Sequence, residues 1–289
     1  MSATLGETLA THLLTLLPSH HESLLADSYQ AVLDQVKAAC AHVDRDPASV
    51  QLVAVTKTVM PAVARSLARL GAIHLGENRL PSFDEKLKSF GEDQSGPPVR
   101  WHFIGQLQRN KARRVVERAD IIHSVTSVKL LQAIGRIAGE LDRKPGIYLQ
   151  VKHAALDDDQ AKAGLTAKQV PEAVDIAAQL ASEGKLELLG LMTMGPLGSA
   201  LSKHEKSEMA SAAFCENAAL AANLPHSLFH QETVRLSMGM SGDLNQAIAA
   251  GSTCVRIGSA LFRGLPDTYR IAPLFQAGTK THLDAGGSL

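Results

Sequence analysis

Three groups of residues in this sequence have types and spacings that can do chemistry. Lys57 ends the run Leu52-Val53-Ala54-Val55-Thr56-Lys57, where strand alternation puts Val53, Val55 and Lys57 on one face. A lysine that shares a face with two core valines at a strand end is expected to be partly desolvated. Desolvation lowers the ammonium pKa and frees an amine that can form a Schiff base; the alternative is a surface lysine just beyond a strand. The second group is a pair of small-residue turns, LSMGMSGD (Leu236 to Asp243) and RIGSALF (Arg256 to Phe262), each leading into a predicted helix. Ser237 and Ser241 offer hydroxyls, Gly239 and Gly242 let a backbone come close, and Gly258 and Ser259 present free N–H groups at a helix start, which together form a two-loop cup for a phosphate. Taken singly, such residues read as plain caps and turns. The third is Arg256, flanked by Val255 and Ile257, whose buried guanidinium needs a partner, either a carboxylate or a ligand.

These groups act together only if the fold brings residues 57, 237 to 243 and 256 to 259 to one place. Eight short apolar runs read as strands: Gln51 to Thr56, Ala72 to Leu75, Arg100 to Ile104, Ile121 to His123, Ile147 to Val151, Leu186 to Leu191, Thr233 to Leu236 and Cys254 to Ile257. Helical periodicity falls between them, over Pro61 to Leu70, Ser82 to Phe90, Gln108 to Arg118, Ser127 to Leu141, Lys168 to Glu183, Ser202 to Ala222 and Leu244 to Ala250. A leading helix, Leu24 to His42, precedes the first strand. Eight alternations without a Pro/Gly/Ser-rich linker predict an α/β fold, a single (β/α)8 TIM barrel, with an open doubly wound sheet as the rival. No G-x-G-x-x-G follows the first strand, which runs into Thr56-Lys57-Thr58, so a dinucleotide fold and a P-loop are both disfavoured. Functional groups of such barrels lie at the C-terminal strand ends, often with a phosphate after the seventh and eighth strands, where the two turns fall.

The composition excludes several classes of partner. With 29 basic against 29 acidic side chains, the chain has no overall field to draw it to nucleic acid or to a membrane surface. Cys40, Cys215 and Cys254 are far apart and odd in number, which fits a reduced, cytoplasmic setting. The start lacks a basic region and its longest apolar run ends at Pro18, so neither secretion nor membrane insertion is expected. Residues 1–23 read as an N-terminal extension, 24–270 as the barrel and 271–289 as a flexible tail. Twelve histidines include no H-E-x-x-H motif of the zinc-protease kind, and His226 and His230 follow Pro225 in a predicted loop, so no metal is expected. His20 and His21 are placed near a disordered end, His102 reads as a hydrogen-bonded core residue, Cys254 as a buried small hydrophobe, and Asp157, Asp158 and Asp159 as a loop charge run. The helix from Gln108 to Arg118 carries Arg109, Lys111, Arg113, Arg114 and Arg118 against Glu117, which reads as a solvated face.

An amine, a phosphate cup and an inward arginine fit a phosphorylated aldehyde, with pyridoxal 5'-phosphate (PLP) and the sugar phosphate of a Schiff-base aldolase both open. LVAVTKTVMP (52 to 61), HLGENR (74 to 79), WHFIGQLQRNK (101 to 111), the K-x-G of Lys162 and Gly164, GLMTM (190 to 194), LSMGMSGD and VRIGSALF together resemble the pyridoxal phosphate homeostasis protein family. The resemblance covers roughly residues 25 to 265, in the expected order. It implies one barrel similar to the N-terminal domain of bacterial alanine racemase, with PLP bound covalently and no established catalysis. It implies further that Lys57 is the Schiff-base lysine, that Ser237, Gly258 and Ser259 hold the phosphate, that Arg256 faces the pyridine nitrogen and that Asn78 lies beside the ring. Met238, Gly239 and Ser241 belong to the same loop motif.

The resemblance also implies a role in supplying or buffering PLP for apo-enzymes, as a monomer, with a PLP-dependent amino acid racemase or decarboxylase as the alternative. Only Arg263 to Leu289 follow the last barrel motif, which leaves no room for the β domain that completes the active site in two-domain racemases. The basic helix could serve as a second surface site for PLP or as a dock for acceptor enzymes. Two stretches depart from the family pattern: RLPSF after Asn78, where Pro81 predicts a short or late helix, and GPLGSALSKHE after Met194.

Overall fold

The computed structural model describes residues 17–92, 98–152, 163–196 and 201–271. Lys162, Asp157, Asp158, Asp159, residues 197–200 of the atypical stretch and the tail from 272 lie outside them. Eight parallel strands close into a barrel in sequence order. They are β1 (Gln51–Val55), β2 (His74–Glu77), β3 (Arg100–Phe103), β4 (Ile121–Val125), β5 (Gly146–Gln150), β6 (Glu187–Met192), β7 (Arg235–Ser237) and β8 (Cys254–Ile257). The predicted single (β/α)8 barrel is therefore the observed fold, and the open sheet is excluded by the β1–β8 pairing, in which Val53 faces Arg256.

The strands form because their alternation serves two apolar environments. Ala54, Leu75, Trp101, Phe103, Ile122, Ile147, Leu149, Leu236, Val255 and Ile257 point outward into the main core beneath the helices. Inward positions are mixed: Ile121, Tyr148, Leu189 and Met192 make a small apolar cluster, while His102, His123, Ser237 and Arg256 put polar groups in the interior. The helices are α1 (Ser19–Ala41), α2 (Pro61–Arg69), α3 (Leu80–Glu92), α4 (Ala112–Arg118), α5 (Val128–Glu140), α6 (Val170–Ser182), α7 (Lys203–Ala222) and α8 (Leu244–Ala249). After β8 the described residues form two 3-10 turns, Ser259–Phe262 and Asp267–Tyr269, and α1 packs against the first of them and α8, covering the side of the barrel where an eighth helix would lie.

Three differences from the sequence reading have physical reasons. Helix α1 starts at Ser19, so His20 and His21 are helical, and His21 Nδ1 lies 3.0 Å from the Tyr269 hydroxyl. Helix α3 starts at Leu80 and is neither short nor late: Pro81 sits in the first turn, where its missing N–H has no intrahelical partner to lose. Strand β2 runs to Glu77 because Leu75, Gly76 and Glu77 are all buried, and this carries Asn78 to the C-terminal rim. The basic helix behaves as a solvated face: Arg113 pairs with Glu140 at 2.6 Å, Arg118 with Asp84 at 2.6 Å, and Arg114 with Asp84.

Candidate functional site

A cavity of about 580 Å³ opens at the C-terminal end of the barrel, within the size range of small-molecule sites. Lys57, Asn78, Ser241, Arg256, Gly258 and Ser259 line it, so residues far apart in sequence meet at the predicted end of the barrel. Ser237, Met238 and Gly239 are buried behind this lining. Gly239 has φ 99°, and a Cβ there would press on the side chain of Ala247, so the loop turns only with glycine at this position.

Lys57 is exposed, two residues past the end of β1. The desolvation expected from Val53 and Val55 is absent, because Thr56 makes the last ladder hydrogen bond, to the Gly76 carbonyl at 3.0 Å, and Lys57 stands in the turn that follows. Among the described residues the side chains of Lys57, Asn78, Ser241 and Ser259 make no hydrogen bond or ion pair, and the N–H groups of Gly258 and Ser259 donate to no backbone carbonyl. The elements behind the cup are short, a six-residue α8 and a four-residue 3-10 turn. Its attraction for an anion therefore comes from individual N–H and O–H donors more than from an aligned helix dipole.

Arg256 is the buried charge of the site, with 4% of its surface exposed. It donates to Ser237 Oγ at 2.5 Å and to the Thr193 carbonyl at 3.0 Å, and it has no ion pair among the described residues. Burial lowers its pKa, with Asp243 opposing that shift from a distance. Asp243 itself accepts the Met240 N–H at 2.5 Å, which fixes the turn from 240 to 243, and burial raises its pKa. Met192, Met194, Met240 and Ile104 give the cavity an apolar wall suited to a flat ring.

A fully buried ion pair, Lys86 of α3 to Glu77 of β2 at 2.9 Å, adjoins Asn78 in the chain. Glu77 also accepts from Thr56 Oγ1 at 2.6 Å and from Ser82 Oγ at 3.0 Å, and Lys86 donates to Ser82 at 2.8 Å. The network ties the end of β1 to the end of β2, so the residues before Lys57 and Asn78 are fixed. Ser82 belongs to the RLPSF departure and completes this network.

The sequence reading passed over Gly105 and Arg270, both in the cavity lining. A Cβ on Gly105 would stand 2.7 Å from the Asn78 carbonyl carbon and Cα. Gly105→Ala is expected to push the Asn78 backbone aside, weakening ligand binding and costing about 1–3 kcal/mol of stability, as read by paired titrations and urea melts. Arg270 reaches the cavity because Tyr269 to Ile271 fold back on the loop after Lys57, with Met60 N–H bonded to the Tyr269 carbonyl at 2.9 Å and Ile271 N–H to that of Thr58 at 2.9 Å.

His74, His102 and His123 form a hydrogen-bonded series through the interior, and all three have lowered pKa values, first because of burial and then through neighbouring positive charge. The unfolded chain therefore takes up protons that the folded chain refuses, and the stability held above pH ~6.5 is lost as pH falls below it. Urea melts are expected to show stability falling as the pH drops below about 6.5, with a shallower fall when His102 or His123 is replaced by a residue that does not titrate. The missed signal was legible: His74, His102 and His123 lie on three consecutive strands, the last two at inward positions. No group of three or more His, Cys, Asp or Glu among the described residues is arranged to hold a metal, and no described helix is long and apolar enough to cross a membrane.

Comparison with known proteins places this geometry. Residues 28–266 match the family described as alanine racemase, N-terminal domain. The pyridoxal phosphate homeostasis protein of Synechocystis sp. is 40% identical over 216 residues, 75% of this chain and 92% of that protein. The protein of the same name from Escherichia coli K12 is 31% identical, over 82% of this chain and 95% of that one. The structure of PipY from Synechococcus elongatus PCC7942 with PLP bound superposes with a TM-score of 0.66 at 34% identity, covering 82% of this chain and 99% of that chain. With its barrel, its motifs in order and relatives of this likeness, the chain belongs to the alanine racemase N-terminal domain family and, within it, to the pyridoxal phosphate homeostasis proteins.

Proposed function

We propose that this protein binds PLP covalently and takes part in intracellular PLP homeostasis, holding and supplying the cofactor without turning over a substrate. The observation that carries the reading is the convergence on one cavity of an uncommitted amine, uncommitted anion donors and a buried guanidinium. The set fits PLP group by group. Lys57 Nζ would be the amine that holds the aldehyde. The N–H groups of Gly258 and Ser259 and the hydroxyls of Ser241 and Ser259 suit the phosphate, with Ser237, Met238 and Gly239 shaping the loop behind them. Arg256 would face the pyridine nitrogen, and Asn78 would stand at the side of the ring. When bound, PLP supplies an electrophilic aldehyde and an electron-accepting ring.

What the lining contains favours holding over turnover. Its titratable side chains among the described residues are Lys57, Arg256 and Arg270, so a second acid or base of the histidine, carboxylate or tyrosine kind is not offered to a substrate. A guanidinium opposite the ring nitrogen donates a hydrogen bond but has no proton to give up near neutral pH, which leaves the ring a weaker electron sink. The reading is of a cytoplasmic monomer that keeps a reactive aldehyde low in free solution and passes it to apo-enzymes. Transfer to an apo-enzyme is expected to outpace spontaneous dissociation of PLP; equal rates would refute delivery and leave storage alone. Arg113→Glu with Arg114→Glu is expected to leave that transfer rate unchanged, because both arginines already face acidic neighbours. A several-fold loss of rate would instead make the basic helix a dock. Loss of α-deuterium from amino acids at enzyme-like rates would favour the racemase reading.

A further inference from the structure

The interior of the barrel contains a continuous polar path that PLP binding as such does not require. His74 Nδ1 lies 3.0 Å from His102 Nε2, His102 Nδ1 lies 2.8 Å from His123 Nε2, and His123 Nδ1 lies 2.8 Å from Ser237 Oγ. Ser237 accepts from Arg256, which lines the ligand cavity. At the other end His74, both of whose ring nitrogens lie 2.8 Å from Gln51 Nε2, lines a second cavity of about 700 Å³ with Gln51, Arg235 and Thr253 at the N-terminal ends of the strands. The path thus runs from one face of the barrel to the other. His102 and His123 are fully buried, and the Tyr148 ring stacks on His123 with centroids 4.6 Å apart, so water does not replace the imidazoles as partners.

We propose that His74, His102 and His123 form a proton relay that couples the floor of the ligand cavity, at Ser237 and Arg256, to the basal cavity. A neutral imidazole has one N–H and one bare nitrogen, so a series of three can be ordered in two directions only. In one, Ser237 donates to His123 Nδ1, His123 Nε2–H to His102 Nδ1, and His102 Nε2–H to His74 Nδ1, leaving His74 Nε2–H to donate to Gln51, whose side-chain amide turns its oxygen toward the ring in this order. In the other, every proton sits on Nδ1 and the series points toward Ser237, whose hydroxyl is then free to donate into the ligand site. Converting the first order to the second moves each proton one nitrogen along. One proton passes to Ser237 from solvent water in the open ligand cavity, one leaves from His74 Nε2 to solvent water in the basal cavity, and the relay keeps its charge.

The surroundings keep the series neutral and therefore able to switch. Arg100 and Asp120 act on His74 with opposite signs, Arg100 also acts on His102, and Arg256 acts on His123. Tyr148, the remaining titratable neighbour of His123, is held in its neutral form by burial. An acceptor arriving at Arg256 competes with Ser237 for the guanidinium and recruits the serine hydroxyl, which selects the second order. The relay therefore rests on the reading of the upper cavity as the PLP site.

The test is 15N NMR of histidine-labelled full-length protein before and after PLP is added, with uptake followed by visible absorption on the same sample. The expected result is a concerted tautomer change at His123, His102 and His74, each ring nitrogen exchanging its protonated and bare shifts. Colour taken up with His74 and His102 unchanged would overturn the relay while leaving the PLP site intact. Failure to take up PLP would remove the reading of the site, and the relay with it. In His102→Gln and His102→Phe, His123 should still respond and His74 should not. A His74 response that survives in either folded variant would overturn the path.

Discussion

Lys57→Ala is expected to show no Schiff-base absorption band when PLP is added, to give no adduct on borohydride reduction and to unfold with the same midpoint as the parent chain. The three outcomes follow from one placement. Lys57 is exposed at the rim and has no partner among the described residues, so its loss removes the amine and little packing, within about 0.5 kcal/mol of stability. Phosphate contacts would remain, so the variant should still bind PLP reversibly, with an affinity measurable by dialysis. Ser241→Ala and Ser259→Ala are different in kind: each removes one hydrogen bond to a charged group, about 1.5–3 kcal/mol, and leaves the colour in place at saturating PLP. A Lys57→Ala that lacks the Schiff-base band and is also unfolded would contradict the account, because nothing in the fold leans on that side chain.

The largest effect on stability is expected at Lys86. Lys86→Met leaves Glu77 fully buried without its cation, and breaking one side of such a pair costs about 3–5 kcal/mol. At roughly 2–4 °C per kcal/mol for a chain of this size class, the melting temperature should fall by on the order of 10 °C. Burial already lowers the Lys86 pKa against the pull of Glu77, so the ammonium depends on its partner. The double variant Glu77→Leu, Lys86→Met removes both charges and should be more stable than Lys86→Met alone, since no buried charge is left uncompensated. The pair also anchors Thr56 and Ser82, so the single variant should bind PLP more weakly even where it remains folded. Equal stability of Lys86→Met and the parent would mean that the network does not hold the ends of β1 and β2 together.

Much of this was legible in the sequence, for reasons that differ by residue. Period-two alternation around Val53, Val55, Val255 and Ile257 announces strands whatever their partners, and counting eight of them was enough to reach the barrel. The glycines and serines of 237 to 243 and 256 to 259 announce turns, and the barrel rule says which end those turns occupy. Long-range pairing was not legible. The chain gives no local signal that Tyr269 to Ile271 return to the loop after Lys57, or that Ser82 sits between Glu77 and Lys86, because each contact depends on helix orientation. Lys57 shows the limit of a strand-face argument: parity places a residue on a face only while the strand continues, and β1 ends at Val55. The histidines were visible as types, but only the register Gly76 to His102 and His102 to Ile121 brings their strands into line.

The most direct test of the central claim is borohydride reduction of the PLP-loaded protein followed by peptide mapping. The account predicts a yellow protein that bleaches on reduction and carries the reduced pyridoxyl group on the peptide containing Lys57 and on no other in comparable yield. A colourless protein that takes up no PLP, or an adduct spread over surface lysines with Lys57 unmodified, would contradict it and leave the barrel without its proposed ligand.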